Sequence, residues 1–184
     1  RLHEYRFEGF GKLRTLPELP FACWPDYFFD YALRYLRPAV AHQLIGSAEQ
    51  KQLESLLLQA EPLLRRVSQG VLVHSDFHYE NILQENGILS GVLDFEWAFV
   101  GDPSCDFTSA PVREEMLPGS TPHFQEGYLS NCQLDAEHEQ RLRLYHLLLM
   151  LETAVMEHAQ QNWQALRQAL DRLSNGLLTW QPGG

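Results

Sequence analysis

The chain contains 184 residues, of which 45% are apolar and 21% are charged. This size and composition predict a folded domain with one buried core. The formal net charge of −10 argues against a nucleic-acid backbone as partner and permits a cationic substrate.

Cysteine usage and hydropathy indicate a cytoplasmic protein. The three cysteines, Cys23, Cys105 and Cys132, are odd in number and lack the spacing of a metal site, which favours a reducing compartment. No apolar run approaches the roughly 20 residues of a membrane span, and no signal-peptide pattern opens the chain. We therefore expect no membrane partner.

The first 22 residues show no regular periodicity. The sequence opens on Arg1 without an initiator Met, which suggests that preceding residues were removed or not included. Residues 9–12, Gly-Phe-Gly-Lys, do not form a phosphate-binding P-loop, because Leu13 follows the lysine where that motif needs Ser or Thr. We predict a flexible turn here.

Two helices are predicted before the central motif. Apolar residues recur at helical spacing over residues 24–37, and Pro38 should end or kink that helix. The second helix should span residues 47–66, where Ser47 and Gln50 form a capping-box pattern ahead of a leucine-rich face.

Three short strands follow, over residues 71–73, 81–84 and 88–94. The last two are joined through Glu85, Asn86 and Gly87, and an Asn-Gly pair can adopt the positive φ values of a tight hairpin. The hairpin would therefore bring Asn81 at one end beside Asp94 at the other.

The remainder of the chain is predicted to be mostly helical. Asp102 is a good N-cap with Pro103 at the first helical position, so a helix should span residues 103–110. Residues 111–121 are rich in Pro, Gly and acidic residues and are predicted to form a loop on the active-site side. Two long helices should close the chain, over residues 135–159 and 163–180.

Polar residues that can carry chemistry cluster around the hairpin. Asn81 and Asp94 supply hard oxygen donors, which suit Mg²⁺ because it usually binds one or two carboxylates and completes its coordination with phosphate oxygens and water. Asp76 lies five residues before Asn81 and would face an incoming hydroxyl group. A kinase catalytic loop divides the work in this way, between an Asp base and a metal-binding Asn. The pattern predicts magnesium-dependent phosphoryl transfer.

Four neighbouring residues have two readings each. His74 borders a strand and is read as a hydrogen-bonded scaffold residue rather than a catalyst. His78 is either exposed to solvent or faces the substrate, and Glu96 either binds a second metal ion through water or forms a surface salt bridge. Asp102 is assigned a structural role as a helix cap.

Three blocks of sequence contain these residues. They are residues 74–83 (HSDFHYENIL), 91–98 (GVLDFEWA) and 101–107 (GDPSCDF). In order and spacing they resemble the C-terminal lobe of the aminoglycoside phosphotransferase and choline kinase-like family, whose members phosphorylate hydroxyl groups of small molecules.

The resemblance implies a fold class and a set of roles. The fold would be α+β and mainly helical, the C-terminal lobe of a protein-kinase-like fold with a small β-hairpin carrying the catalytic loop and the metal site. Asp76 would be the catalytic base, with Asn81 and Asp94 as magnesium ligands. His74 would brace the catalytic loop, and Asp106 would support it from behind. ATP would be the phosphoryl donor.

The resemblance also implies a domain organisation. Residues 1–22 would be the remnant of a connection between two lobes, and residues 23–184 would be the C-terminal lobe. The N-terminal nucleotide lobe, with its phosphate-binding lysine, is not in the sequence, whose only lysines are Lys12 and Lys51. The chain alone is therefore expected to fold without turning over ATP.

The tip of the loop departs from the family pattern. Many members have Gly at the position of Ser75, Pro at that of Tyr79 and Gly at that of Glu80. The loop is therefore bulkier here and carries an additional charge, which bears on the substrate more than on the reaction.

Two other classes of protein fit parts of the pattern. His74, Asp76 and His78 are residue types that bind Zn²⁺, so a metal-dependent hydrolase is one alternative, and tightly held zinc would favour it. The other is a non-catalytic kinase-like binding module, which the absent nucleotide lobe supports and the intact set of Asp76, Asn81 and Asp94 opposes.

Overall fold

The computed structural model describes residues 2–180 of the chain. Residue 1 of the predicted 1–22 segment and residues 181–184 of the predicted 23–184 segment lie outside the described residues. The chain divides into two compact units: Arg1–Ala22 with Ser68–His138, and Cys23–Val67 with Glu139–Gly184. Within residues 2–180, no helix combines the length and apolar character needed to cross a membrane.

Within residues 2–180, all the strands lie in the first unit. They are β1 (Arg6–Phe7), β2 (Gly11–Lys12), β3 (Gly70–Val73), β4 (Ile82–Glu85), β5 (Ile88–Val92) and β6 (Phe99–Gly101). Four of them form an antiparallel sheet in the order β1-β3-β6-β2. Its centre is the pairing of β3 with β6, in which Val71 faces Gly101 and Val73 faces Phe99.

The sheet corrects the sequence interpretation of the first 22 residues. Gly11 and Lys12, predicted to be a flexible turn, form β2 and pair with Val100 and Phe99. An isolated bridge between Phe10 and Phe21 precedes this pairing. Strands of two residues are too short to show an alternating pattern, and their hydrogen-bonding partners lie far along the chain.

The hairpin of β4 and β5 forms a separate two-stranded sheet. Asn86 and Gly87 have φ values of 52° and 77°, so the predicted Asn-Gly turn is confirmed. Strand β5 ends at Val92, two residues before the predicted end at Asp94. Asp94 has a φ of 60°, which is a left-handed conformation and cannot continue a strand.

Two predictions on the following segment are wrong. The helix predicted over residues 103–110 is a short 3₁₀ helix, Pro103–Phe107. The loop predicted over residues 111–121 contains a helix, Ala110–Met116, and the start of another, Ser120–Leu129. Pro and Gly were read as loop residues, but Pro111 lies in the first turn of the first of these helices, and Gly119, at φ 84°, is the N-cap of the second.

The helices are numbered in chain order. They are α1 (Trp24–Ala41), α2 (Ser47–Leu64), α3 (Ala110–Met116), α4 (Ser120–Leu129), α5 (His138–Ala159) and α6 (Trp163–Thr179). The second unit is built from α1, α2, α5 and α6. The predicted helices at 47–66, 135–159 and 163–180 are therefore confirmed, with ends that differ by up to three residues.

Two details at the helix ends correct the sequence analysis. Helix α1 continues through Pro38 to Ala41, because a proline removes one backbone hydrogen bond without requiring the last turn to unwind. Helix α2 is capped at Gly46 rather than Ser47: Glu49 reaches back, and its Oε2 accepts the Gly46 N–H at 2.8 Å.

Hydrogen bonds of aromatic side chains join α1 to α5 within the second unit. The Trp24 indole Nε1 donates to the Tyr145 hydroxyl at 2.8 Å. The hydroxyl groups of Tyr31 and Tyr35 both donate hydrogen bonds to the Glu152 carboxylate. Burial, with the Glu152 charge as a second cause, raises the pKa of Tyr31 well above its ordinary value, so the phenol remains a donor.

Strand β3 has a glycine that the sheet requires. A Cβ on Gly70 would lie 2.5 Å from Val100 Cγ1 and 2.8 Å from the Gly9 carbonyl oxygen. Gly70→Ala should therefore lower the free energy of unfolding by about 1–3 kcal/mol. Denaturant unfolding of the chain followed by circular dichroism measures this change.

The matched control for that substitution is Gly127→Ala in α4. A Cβ there would meet nothing within 4 Å, so alanine should stabilise the helix by about 0.5–1 kcal/mol. Equal effects of the two substitutions would contradict the close approach at Gly70.

Candidate active site

The loop between β3 and β4 carries most of the predicted site residues. It leaves β3 at His74, turns at Ser75 and ends in a 3₁₀ turn, Tyr79–Asn81, that leads directly into β4. Ser75 has a φ of 73°, a left-handed conformation that costs a non-glycine residue roughly 1–2 kcal/mol. Surrounding contacts must therefore hold the loop in this shape.

Asp106 supplies the main contacts that hold the turn. Its Oδ1 accepts the Ser75 N–H at 2.7 Å, and its Oδ2 accepts the His74 N–H at 3.3 Å. Asp106 is buried and lies on the 3₁₀ helix Pro103–Phe107. That helix is capped by Asp102, whose Oδ1 accepts the Ser104 N–H at 2.8 Å.

His74 joins the loop to the end of the hairpin. Its side chain is completely buried and lies against the rings of Phe77 and Phe95. Its Nε2 lies 2.7 Å from the Leu93 carbonyl oxygen, and its Nδ1 accepts the Asp76 N–H at 3.3 Å. These partners require the Nε2–H tautomer, and both ring nitrogens are thereby occupied.

Asn81 and His78 surround the Asp76 carboxylate. The Asn81 side-chain amide donates to the Asp76 carbonyl at 2.9 Å and to Asp76 Oδ2 at 3.2 Å. His78 Nε2 lies 3.4 Å from the same Oδ2. Asn81 and His78 are buried, whereas the Asp76 side chain is 38% exposed. Asp76 is thus fixed on one side and open to solvent on the other.

Asp94 and Glu96 lie just beyond β5. The residue before Asp94, Leu93, donates its N–H to the Asn81 carbonyl at 2.8 Å, which ties the two ends of the hairpin together. Asp94 itself is exposed and has a left-handed backbone. Glu96 is also exposed.

The residue types at Asn81 and Asp94 could hold Mg²⁺ more readily than Zn²⁺. No group of three or more His, Cys, Asp or Glu residues that could hold a metal ion occurs among residues 2–180. Zinc sites normally use three or four protein ligands, and His74 has no unoccupied nitrogen to offer. One amide oxygen from Asn81 and one carboxylate from Asp94 fit magnesium, which takes its remaining ligands from phosphate and water.

Sequence reasoning missed Arg113, which lies on α3 in the segment predicted to be a loop. Its Nη1 donates to the Phe77 carbonyl at 3.1 Å and to the Asp106 carbonyl at 3.0 Å, and its guanidinium lies 4.1 Å from the centroid of the Phe124 ring. Burial lowers the pKa of Arg113, and the Asp106 charge opposes that shift. Arg113 thus links the residue after Asp76 to the residue that supports the loop.

His3 and Tyr128 were also missed. His3 Nε2 lies 2.7 Å from Asp106 Oδ2, and His3 Nδ1 lies 2.7 Å from the Tyr128 hydroxyl. The contacts span 103 and 125 residues of sequence. No local pattern in the sequence could have indicated them.

Comparison with known families identifies the class of protein. A model of the phosphotransferase enzyme family matches residues 10–145, which is more than half of the chain. The chain therefore belongs to this family, and the resemblance stated from the three motif blocks is confirmed. No curated protein matches the sequence significantly.

Solved structures confirm the predicted fold class, α+β and mainly helical with a kinase-like architecture. The aminoglycoside phosphotransferase APH(4)-Ia is similar with a TM-score of 0.61 and 19% identity, covering 89% of this chain and 54% of that one. A candidate fructosamine-3-kinase from Thermobifida fusca YX-ER1 has a TM-score of 0.60 and 18% identity, covering 88% and 53%. The chain thus spans about half the length of these proteins.

The strained turn at Ser75 leads to a stability prediction. Ser75→Gly should raise the free energy of unfolding by about 0.5–1 kcal/mol, because glycine adopts positive φ without the steric cost but adds freedom to the unfolded chain. Ser75→Val should lower it, because a β-branched residue is disfavoured at positive φ. Denaturant titrations of the variants measure both effects.

Ser90→Gly in β5 is the matched control. Ser90 is exposed in a regular strand, where glycine should destabilise by about 0.5–1 kcal/mol. If both Ser-to-Gly substitutions destabilised the chain equally, the left-handed conformation of Ser75 would be wrong.

Proposed function

We propose that the chain is the C-terminal lobe of an ATP- and Mg²⁺-dependent phosphotransferase that acts on a hydroxyl group of a small molecule. Residues 1–22 would belong to the connection to a nucleotide-binding N-terminal lobe, and residues 23–184 to the catalytic lobe. The chain alone is expected to fold without phosphotransferase activity, because phosphoryl transfer depends on groups that position the donor phosphates.

The observation that carries this proposal is the hydrogen bonding of Asn81. Its amide NH₂ contacts Asp76 through both the carbonyl and the carboxylate. Its Oδ1 accepts no hydrogen bond from the described residues and is left for a cation. A single side chain thus connects the proposed base to the proposed metal site, as a phosphoryl-transfer centre requires.

Asp76 is the proposed general base. The Asn81 amide donates to one carboxylate oxygen, Oδ2, and His78 Nε2 lies 3.4 Å from the same atom, whereas neither contact uses Oδ1. The exposed carboxylate would accept the proton of the acceptor hydroxyl as its oxygen attacks the phosphorus. Bound Mg²⁺, held by Asn81 and Asp94, would neutralise charge on the donor phosphates. His78 and Glu96 are proposed to lie at the edge of this site, toward the substrate or a second ion.

The charge of the chain indicates the class of acceptor. The net charge of −10, together with Asp76, Glu80 and Glu96 around the loop, favours an acceptor that carries positive charge. Structures similar in fold include a ternary complex of a thermostable APH(4)-Ia mutant with ADP and hygromycin B, and a gentamicin complex of APH(2")-IIa. They support a nucleotide donor and an amino-sugar type of acceptor.

Whether the phosphoryl donor is ATP or GTP is best tested by measuring both nucleotides. One structure of similar fold is a GDP complex of the aminoglycoside 2'-phosphotransferase-IIIa, with a TM-score of 0.54 and 14% identity. We propose ATP as the phosphoryl donor for this chain.

We also propose a cytoplasmic location. This is in keeping with Cys23, Cys105 and Cys132, which form no disulfide among the described residues.

The base assignment predicts the effect of Asp76→Asn in the full-length protein. The substitution keeps the shape of the side chain and its contacts to Asn81 but removes the proton acceptor. Turnover should fall by about 100-fold or more, with nucleotide affinity nearly unchanged. Steady-state kinetics against a panel of amino-sugar and amino-alcohol acceptors measures this.

Glu85→Gln, on the exposed end of β4, is the charge-matched control and should leave turnover unchanged. Full activity of Asp76→Asn would remove Asp76 from the chemistry.

The assignment of Asp94 as a metal ligand predicts that its substitution weakens nucleotide binding as well as catalysis. Asp94→Ala should abolish Mg²⁺-dependent nucleotide binding, because its carboxylate would hold the ion that offsets the charge of the phosphates. Isothermal titration calorimetry of the full-length protein with Mg²⁺·ATP and Mg²⁺·GTP measures the affinity, with Glu85→Ala as control. Parent-like affinity in Asp94→Ala would show that another residue binds the metal.

A further inference from the structure

We propose that His3 is a positioning residue for phosphoryl transfer: together with Tyr128, it fixes the Asp106 carboxylate that holds the catalytic loop. The inference rests on the proposed function, since it concerns the loop that carries the proposed base. Neither His3 nor Tyr128 belongs to the three motif blocks of the sequence.

The contacts form a continuous chain from Tyr128 to the loop. The Tyr128 hydroxyl is 2.7 Å from His3 Nδ1, and His3 Nε2 is 2.7 Å from Asp106 Oδ2. The His3 and Asp106 side chains are 10% and 6% exposed. The His3 and Tyr128 rings are 5.4 Å apart and meet edge to face, so packing fixes the imidazole as well as the hydrogen bonds.

The hydrogen bonds can run from Tyr128 through His3 to Asp106. Burial raises the pKa of the Tyr128 phenol, with Cys132 and Asp106 as further causes, so the hydroxyl keeps a proton that it can donate to His3 Nδ1. A neutral His3 in this arrangement carries its proton on Nε2 and donates a hydrogen bond to Asp106 Oδ2.

Asp106 needs this support because its two carboxylate oxygens accept hydrogen bonds of different length. Oδ1 accepts the Ser75 N–H at 2.7 Å, whereas Oδ2 accepts the His74 N–H at only 3.3 Å. The contact from His3, at 2.7 Å, is therefore the shorter of the two on Oδ2 and restrains it more closely. Without it, the carboxylate could rotate about its terminal torsion, which has only a broad energy minimum.

Rotation of the Asp106 carboxylate would affect Asp76 through Ser75. Ser75 has a left-handed backbone that its amide contact to Asp106 stabilises, and Asp76 is the next residue. If that contact weakened, the strained turn could relax and carry Asp76 away from its position. A displacement of about 1 Å in a catalytic group costs on the order of 100-fold in rate.

The segment that carries His3 is itself anchored near the loop. His3 lies in a 3₁₀ turn, Leu2–Glu4, and the next residue, Tyr5, accepts the Leu72 N–H at 3.2 Å through its carbonyl. The N-terminal segment is thus attached both to the strand that leads into the loop and to the carboxylate that holds it.

The test compares three variants of the full-length protein: His3→Ala, His3→Gln and Tyr128→Phe. His3→Ala should lower kcat by about 10- to 100-fold, as expected for losing a hydrogen bond to a charged group, with KM for the nucleotide changed less than about threefold. His3→Gln should restore most of kcat, because the Gln side-chain amide can donate from nearly the position of Nε2. Tyr128→Phe should fall between them.

Hydrogen exchange supplies a readout that does not depend on activity. The His74 and Ser75 amides should exchange about tenfold or more faster in His3→Ala than in the parent and close to the parent rate in His3→Gln. His123→Ala, an exposed histidine on α4 in the same unit, is the matched control and should change neither kcat nor exchange.

The outcomes separate this inference from the proposed function. Parent-like kcat in His3→Ala beside an inactive Asp76→Asn would overturn the role of His3 alone. Equal losses in His3→Ala and His3→Gln, with unchanged exchange at Ser75, would also overturn it, because they would indicate lost packing rather than a lost donor. Full activity of Asp76→Asn would instead overturn the proposed function.

Discussion

The Asp106 carboxylate is the constraint on which the rest of the site depends. It holds two consecutive backbone amides, those of His74 and Ser75, at the point where the chain takes an unfavourable left-handed turn. Strain of this kind persists only where the surroundings over-determine the conformation. Because the partners are backbone groups, the side chains of the loop can vary while its path is retained. Ser75 can therefore occupy a left-handed position that glycine adopts without steric cost.

A second set of contacts connects this turn to the hairpin. His74 lies between them, accepting the Asp76 N–H and donating to the Leu93 carbonyl. Asn81 completes the connection from the other side, through its contacts to Asp76 and to the Leu93 amide. The buried side chain of His74, with the side chain and main-chain carbonyl of Asn81, thus sets the spacing between the proposed base and the end of the hairpin.

The sequence was informative where an interaction is local. The spacing of Asp76 and Asn81, the Asn86-Gly87 turn and the cap at Asp102 all depend on contacts within a few residues, and periodicity identified the long helices. Contacts that depend on tertiary packing could not be predicted. Arg113 contacts the loop, and His3 contacts Asp106, from distant parts of the chain. The two-residue strands of the first sheet exist only because β3 and β6 provide partners.

The proposed base and the proposed metal ligand differ in how firmly they are held. Asp76 is fixed by hydrogen bonds to a buried network, whereas Asp94 is exposed, follows β5 and has a left-handed backbone. A base that is pre-organised needs no rearrangement when the acceptor arrives, which lowers the entropic cost of reaching the transition state. An exposed carboxylate can adjust its rotamer to a cation that arrives with its phosphates, at a modest cost in side-chain entropy. The structure thus holds the proposed base rigidly and leaves the proposed metal ligand free to adjust.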